Sequence, residues 1–100
     1  MALPDWRLRF MRKDIEETAE HWAYAVKRET KKEWFWAAGH YAMAAKAYAA
    51  LAQEAGRCPA ENNKDLALEY AQKGRNACEQ AALCLQKGSE ALDAVEMERQ

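Results

Sequence analysis

Residues that build sheets are scarce in this chain: Ile, Val and Thr together number five (Ile15, Val26, Val95, Thr18, Thr30) among 100 residues. Strands draw on β-branched side chains, so a sheet is excluded. Serine occurs once, at Ser89, and proline twice. No apolar run approaches the roughly 18 residues needed to cross a bilayer, and no basic, apolar and small-residue series forms a signal peptide. The cysteines, Cys58, Cys78 and Cys84, are three, an odd number that cannot all pair within one chain. Their spacings match no zinc or iron–sulfur pattern. These absences predict reduced thiols in a cytoplasmic protein with no membrane role.

What is present points one way. Alanine supplies 22 residues, half of the chain is hydrophobic, and 31% is charged with a formal net charge of −1. Ala, Leu, Glu, Lys, Gln, Arg and Met favour helix, so the expectation is an all-α single domain over residues 1–100. At this length one core forms and its stability is modest. Residues 1–32 carry eight basic and six acidic side chains, and residues 33–100 carry seven and ten. Neither half has the dense basic patch that drives phosphate-dominated binding.

Three apolar stripes of helical period run along the chain. Leu8, Met11, Ile15, Thr18/Ala19, Trp22 and Ala25/Val26 mark a first helix over about 5–29, with Asp5 as a cap and Lys27 and Arg28 in the last turn. Thr30-Lys31-Lys32-Glu33 reads as a capping box. It opens a second helix over about 31–55, striped by Trp34, Ala37/Ala38, Tyr41, Ala44/Ala45, Tyr48, Leu51/Ala52 and Ala55. The alternative is one longer helix through Thr30 that breaks at Gly39-His40. Gly56 offers a left-handed stop, and Gly56-Arg57-Cys58-Pro59 is the clearest turn. Pro59, or Asn62/Asn63 a turn later, opens a third helix over about 60–95. Its stripe is Leu66, Tyr70, Gly74, Ala77, Ala81, Cys84/Leu85, Gly88, Ala91/Leu92 and Val95. Either this helix overhangs its partners, or Gly88-Ser89 ends it and caps a short fourth one. The economical architecture is an antiparallel three-helix bundle with short connections.

Catalysis has little to stand on. The two histidines, His21 and His40, sit in no two-histidine metal motif, although Glu17 precedes His21 by four residues. Cys78 and Cys84 point in different directions on one helix. There is no phosphate-cradling glycine loop and no nucleophile with a base beside it. The sequence therefore predicts no catalytic residue, no metal ligand and no cofactor.

Trp34-Phe35-Trp36 is the most unusual feature. Three consecutive helical residues span about 200° of the circumference, so all three cannot face one ordinary core. Trp34 lies on the stripe, while Phe35 and Trp36 turn toward other helices, another subunit or water. With His40 they form the candidate partner-binding set, because exposed aromatics dominate interface hot spots. A larger protein is the expected partner, and the surplus apolar surface leaves room for a homodimer. The basic residues Arg7, Arg9, Arg12 and Lys13, then Lys27, Arg28, Lys31 and Lys32, form an alternative nucleic-acid surface at the two ends of helix one. Asp14, Glu16, Glu17 and Glu20 lie between them and argue against a continuous basic track.

Gly39-His40-Tyr41-Ala42-Met43-Ala44-Ala45-Lys46-Ala47-Tyr48 resembles the glycine–aromatic–alanine helix entry of tetratricopeptide repeats. It resembles more closely the G-x-Y-x-x-A-A-x-x-W-like run of the AraC-negative-regulator (ANR) family and its PerC-like relatives. Tyr70, Arg75 and Cys78 fit that family's second helix, and Asn62-Asn63 its polar turn. The match covers residues 34–78 and departs from the pattern where Tyr48 and Tyr70 replace tryptophans and the turn is longer. The resemblance implies a small regulator that acts by binding another protein, typically a transcription factor or nucleoid protein. The lack of a catalytic constellation, the near-zero net charge and the surplus aromatics lead to the expectation of a non-enzymatic bacterial or phage-borne protein that binds a larger protein and regulates or inhibits it. Trp36-Ala37-Ala38-Gly39 has the wrong spacing for the Trp-x-Gly of the WXG100 secretion partners.

Overall fold

In a computed structural model the backbone is described for residues 5–57 and 61–99, and the side chains for 13–57 and 64–98. These residues form three helices and no strand: α1 (Asp5–Thr30), α2 (Trp34–Gly56) and α3 (Glu61–Arg99). The helices pack against one another as an all-α bundle, 64 × 18 × 14 Å in extent. Helix α2 is the shared partner, packing along both α1 and α3, whereas α1 and α3 meet only sparsely. The side chains of Asp5, Leu8, Met11, Asn62 and Asn63, and the turn at Cys58-Pro59, lie outside the described residues.

The α1–α2 turn differs from the capping box. Thr30 is the last residue of α1, and its Oγ1 donates back to the Val26 carbonyl at 2.9 Å. Helix α2 begins at Trp34 rather than residue 31, with Glu33 as an N-cap that makes no side-chain cap bond. The Glu33 amide donates to Arg28 O (3.0 Å) and the Lys32 amide to Glu29 O (2.9 Å). That bond pair is a Schellman closure, in which the penultimate turn residue adopts the left-handed conformation. Lys32 fills that place with φ 61°, where glycine is usual. The Glu33 carboxylate is therefore turned away from the helix start and accepts from Arg28 Nη1 at 2.8 Å. No continuous helix passes through Thr30, and α2 runs through Gly39-His40 unbroken.

A side chain in the left-handed region costs about 1–2 kcal/mol relative to glycine. Lys32→Gly is accordingly expected to raise Tm by about 4–8 °C, the effect of a gain near 1 kcal/mol in a domain of this size. Lys32→Val is expected to lower it. Thermal melts with the two variants indistinguishable would contradict this turn geometry.

Gly56 ends α2 without the left-handed stop, since no described glycine has positive φ and Arg57 stays right-handed (φ −72°, ψ −17°). Helix α3 runs unbroken through Gly74 and Gly88, so no fourth helix starts at Ser89. At 39 residues against 23, α3 is about 58 Å long and α2 about 35 Å at 1.5 Å per residue. The overhang absorbs the extra length.

Alanine defines the seams. Ala37, Ala38, Tyr41, Ala81 and Cys84 cluster with Ala25 and Trp22 of α1. Ala44 and Ala45 meet Ala77, and Leu51 and Ala55 meet Tyr70 with Ile15 alongside. Successive residues of α2 thus meet progressively earlier residues of α3, from Phe35 against Gly88 to Gly56 near Ala67. A Cβ on Gly74 would lie 3.4 Å from Tyr48 Cβ and 3.6 Å from the Ala45 carbonyl oxygen, so glycine lets the backbones close there. Each buried methyl contributes on the order of 0.8 kcal/mol, which spreads stability over many small contacts. The larger members are Tyr41, 2% exposed, and half-buried Trp22, whose rings meet edge-on at 5.0 Å.

Candidate functional site

The three consecutive aromatics take three separate environments. Trp34 is half-buried with Lys87 Nζ 5.1 Å from its ring centre. Phe35 is 49% exposed and lies over Gly88, where its ring occupies the space a Cβ would need. Trp36 is 58% exposed on the side of α2 that faces the end of α1.

Trp36 is nevertheless held. Its indole Nε1 donates to His40 Nε2 at 3.0 Å, one helical turn on. An indole N–H can only donate, so His40 Nε2 is the acceptor of this bond. Across the turn the Arg28 guanidinium lies 4.4 Å from the Trp36 ring centre and 5.8 Å from that of Tyr24. Such cation–ring contacts are worth about 0.5–2 kcal/mol, more where water is excluded. Tyr24 in turn sits 5.3 Å from His40, and His21 stacks on the same imidazole at 6.1 Å. Two polar atoms inside this cluster, His40 Nδ1 and Arg28 Nε, are buried without a hydrogen-bond partner. The result is an indole whose polar edge and one face are fixed while more than half of its surface is open.

Arg28 and Tyr24 were not in the partner-binding set read from sequence. Their signal was there, in Tyr24–Arg28 and Trp36–His40 as two i,i+4 pairs on helices joined by a three-residue turn. Only the turn geometry brings the pairs together. Beside Phe35, an open groove of about 370 Å³ is lined by Trp34, Phe35, Gly88, Ala91, Leu92 and Val95.

The basic residues divide. Lys13, Lys27, Lys31 and Lys32 are exposed, whereas Arg28 is engaged with Glu33, Trp36 and Tyr24. Arg7, Arg9 and Arg12 have side chains outside the described residues. Lys13 and Lys27 lie within about 40° of one another on α1, but exposed Glu16 and Glu20 stand on the same face between them. A continuous basic track is therefore interrupted.

No group of three His, Cys, Asp or Glu side chains among the described residues is arranged to hold a metal ion. Cys78 is a free, exposed thiol and Cys84 a free, buried one. The Cys84 thiol donates to Glu29 Oε1 at 3.3 Å. Burial, together with that carboxylate, pushes Cys84 up to about 11, the wrong direction for a nucleophile. No described helix is long and apolar enough to cross a membrane.

No family model matches the chain, and no curated protein or solved structure is significantly similar to it.

Proposed function

We propose that this chain is a non-enzymatic, cytoplasmic helical protein that binds a larger protein and regulates it, docking through Trp36. The carrying observation is an indole that is 58% exposed yet already fixed by His40 and Arg28. Association loses about 0.5–1.5 kcal/mol for each side chain it immobilises, and here much of that ordering is complete before a partner arrives. Exposed Lys27, Lys31 and Lys32 lie at the end of α1 and in the turn that leads to Trp36, which suits a partner surface of acidic character. The falling α3 register along α2 supports an antiparallel α2–α3 pair, with α1 laid on α2 in the opposite sense. The resemblance to the ANR and PerC-like regulators supports a transcription or nucleoid factor as the partner, and the free thiols support the cytoplasm.

The test is quantitative capture with a tagged chain. Trp36→Ala is expected to weaken retention of the partner about 30-fold, the effect of losing a hot spot worth 2 kcal/mol. Lys31→Glu with Lys32→Glu is expected to slow association and reduce its salt dependence. Equal retention by wild type and Trp36→Ala, or nothing retained by either, would refute the reading.

A further inference from the structure

We infer that two copies of this chain pair face to face through the side of α2 and α3 that points away from α1. The surface is written in sevens. Phe35, Ala42 and Ala49 recur along α2, and Ala71, Cys78, Leu85 and Leu92 along α3; all seven are exposed, Phe35, Leu85 and Leu92 to 49%, 50% and 60%. At 100° per residue the α2 row stands about 160° around its helix from Ala37, Ala44 and Leu51, the residues clustered with Ala25, Trp22 and Ile15 of α1. The α3 row stands about 140–160° from Lys73 and Asn76, which border the groove beside Trp22. Both rows therefore lie on the face that α1 leaves open. Seven-residue spacing is the repeat by which helices mate with further helices.

The occupant follows from the sizes along the rows. A two-fold axis crossing the face at the level of Ala42 and Ala82 reverses each row onto itself. Leu92 then lies over Ala71 of the second copy, Leu85 over Cys78, Phe35 over Ala49, and Ala42 over its own counterpart. Every large side chain meets a small one, which is the self-complementarity an isologous interface requires. Lys46 falls beside Gly39 of the second copy, where nothing lies within 4 Å of the missing Cβ. Two helices about 10 Å apart and about 30 Å long offer on the order of 600 Å² per copy, reaching the roughly 1,200 Å² at which specific interfaces begin. The face borders Trp36, which lines the same groove as Phe35 and Leu92.

Sedimentation equilibrium of the full chain at tens of micromolar tests the pairing. The expected mass is twice the 11.4 kDa of one chain. Leu85→Glu is expected to weaken the dimer at least 30-fold while far-UV circular dichroism keeps its helix signal. A second arm reads the register in a Cys58→Ser background. Leu85→Cys is expected to give a disulfide-linked dimer on mild oxidation that Cys78→Ser abolishes. Seven residues along one helix separate Cα atoms by about 10 Å, beyond the roughly 7 Å a disulfide spans, so that bridge can form only between copies. A wild-type monomer at 100 µM overturns the inference. So does a dimer indifferent to Leu85→Glu that yields no Cys78-dependent link. Capture through Trp36 is scored in a separate assay, and its failure would leave these outcomes unchanged.

Discussion

Tyr41→Ala is expected to remove about 3–5 kcal/mol of stability, the range for emptying a large aromatic from a core. A domain of this size holds about 5–15 kcal/mol in all, so the variant stands near the edge of folding. The reason lies in what surrounds the ring. Apart from Trp22, its neighbours are Ala25, Ala37, Ala38, Ala81 and Cys84. Residues this small have no side chain that can swing into the void, so the cavity persists and its full penalty is felt. Tyr41→Phe keeps the ring and is expected to cost less than about 1.5 kcal/mol, as shape-conserving exchanges do. Urea unfolding of the two variants separates the cases. Similar losses for both would mean that the hydroxyl, and not the ring volume, holds this layer together.

Alkaline pH is expected to unfold the protein by acting on the same layer. Burial, then the Glu29 carboxylate, pushes Tyr41 from its ordinary 10.0 up to about 12. Cys84 rises from 9.0 to about 11 through burial, its hydrogen bond to Glu29 and that residue's charge, with Lys87 opposing. Both groups are neutral acids when folded, and both ionise more readily once unfolded. Their contribution is therefore whole below pH 9 for Cys84 and below pH 10 for Tyr41. It is lost as pH climbs to about 11 and 12 respectively. A shift of two units is worth on the order of 3 kcal/mol, a sizeable part of the marginal total. Burial raises Tyr70 as well, which adds in the same direction. Circular dichroism at 222 nm should show cooperative loss of helix between pH 9 and 12. Glu29→Gln, which keeps an acceptor for the thiol but removes the charge, should shift the midpoint upward. In a Cys58→Ser, Cys78→Ser background, thiolate absorbance titrating near pH 9 with the helix signal intact would sink the argument.

Much of this architecture was legible in the sequence, because helix existence follows from period and composition, which alanine and the spaced aromatics report directly. The end of α1 falls one residue from its expected place. The start of α2 falls three residues late because Thr30 and Glu33 have competing partners. The threonine hydroxyl is satisfied inside its own helix by Val26, and the glutamate is drawn to Arg28, a pairing that exists only once the turn has formed. A lysine at positive φ leaves no mark in composition. Gly88 misled for a related reason: its missing side chain makes room for Phe35, a long-range use, whereas glycine beside serine reads locally as a break. At the candidate site the separation of Trp34, Phe35 and Trp36 follows from 100° per residue, and the structure gives each ring its own surroundings. The i,i+4 pairs Tyr24–Arg28 and Trp36–His40 were visible, but not that the turn sets Arg28 against Trp36 and Tyr24 against His40.

The central position of α2 also bears on how fast the chain folds. Helix contacts here join neighbours in sequence, α1 with α2 and α2 with α3, with little between the first and the last. Contact order is therefore low, and loop-closure entropy is lost in two small steps rather than one large one. Helical proteins of this kind fold in microseconds to milliseconds. Either helix pair can form first on the same middle helix, so the landscape offers two parallel routes that converge on Tyr41.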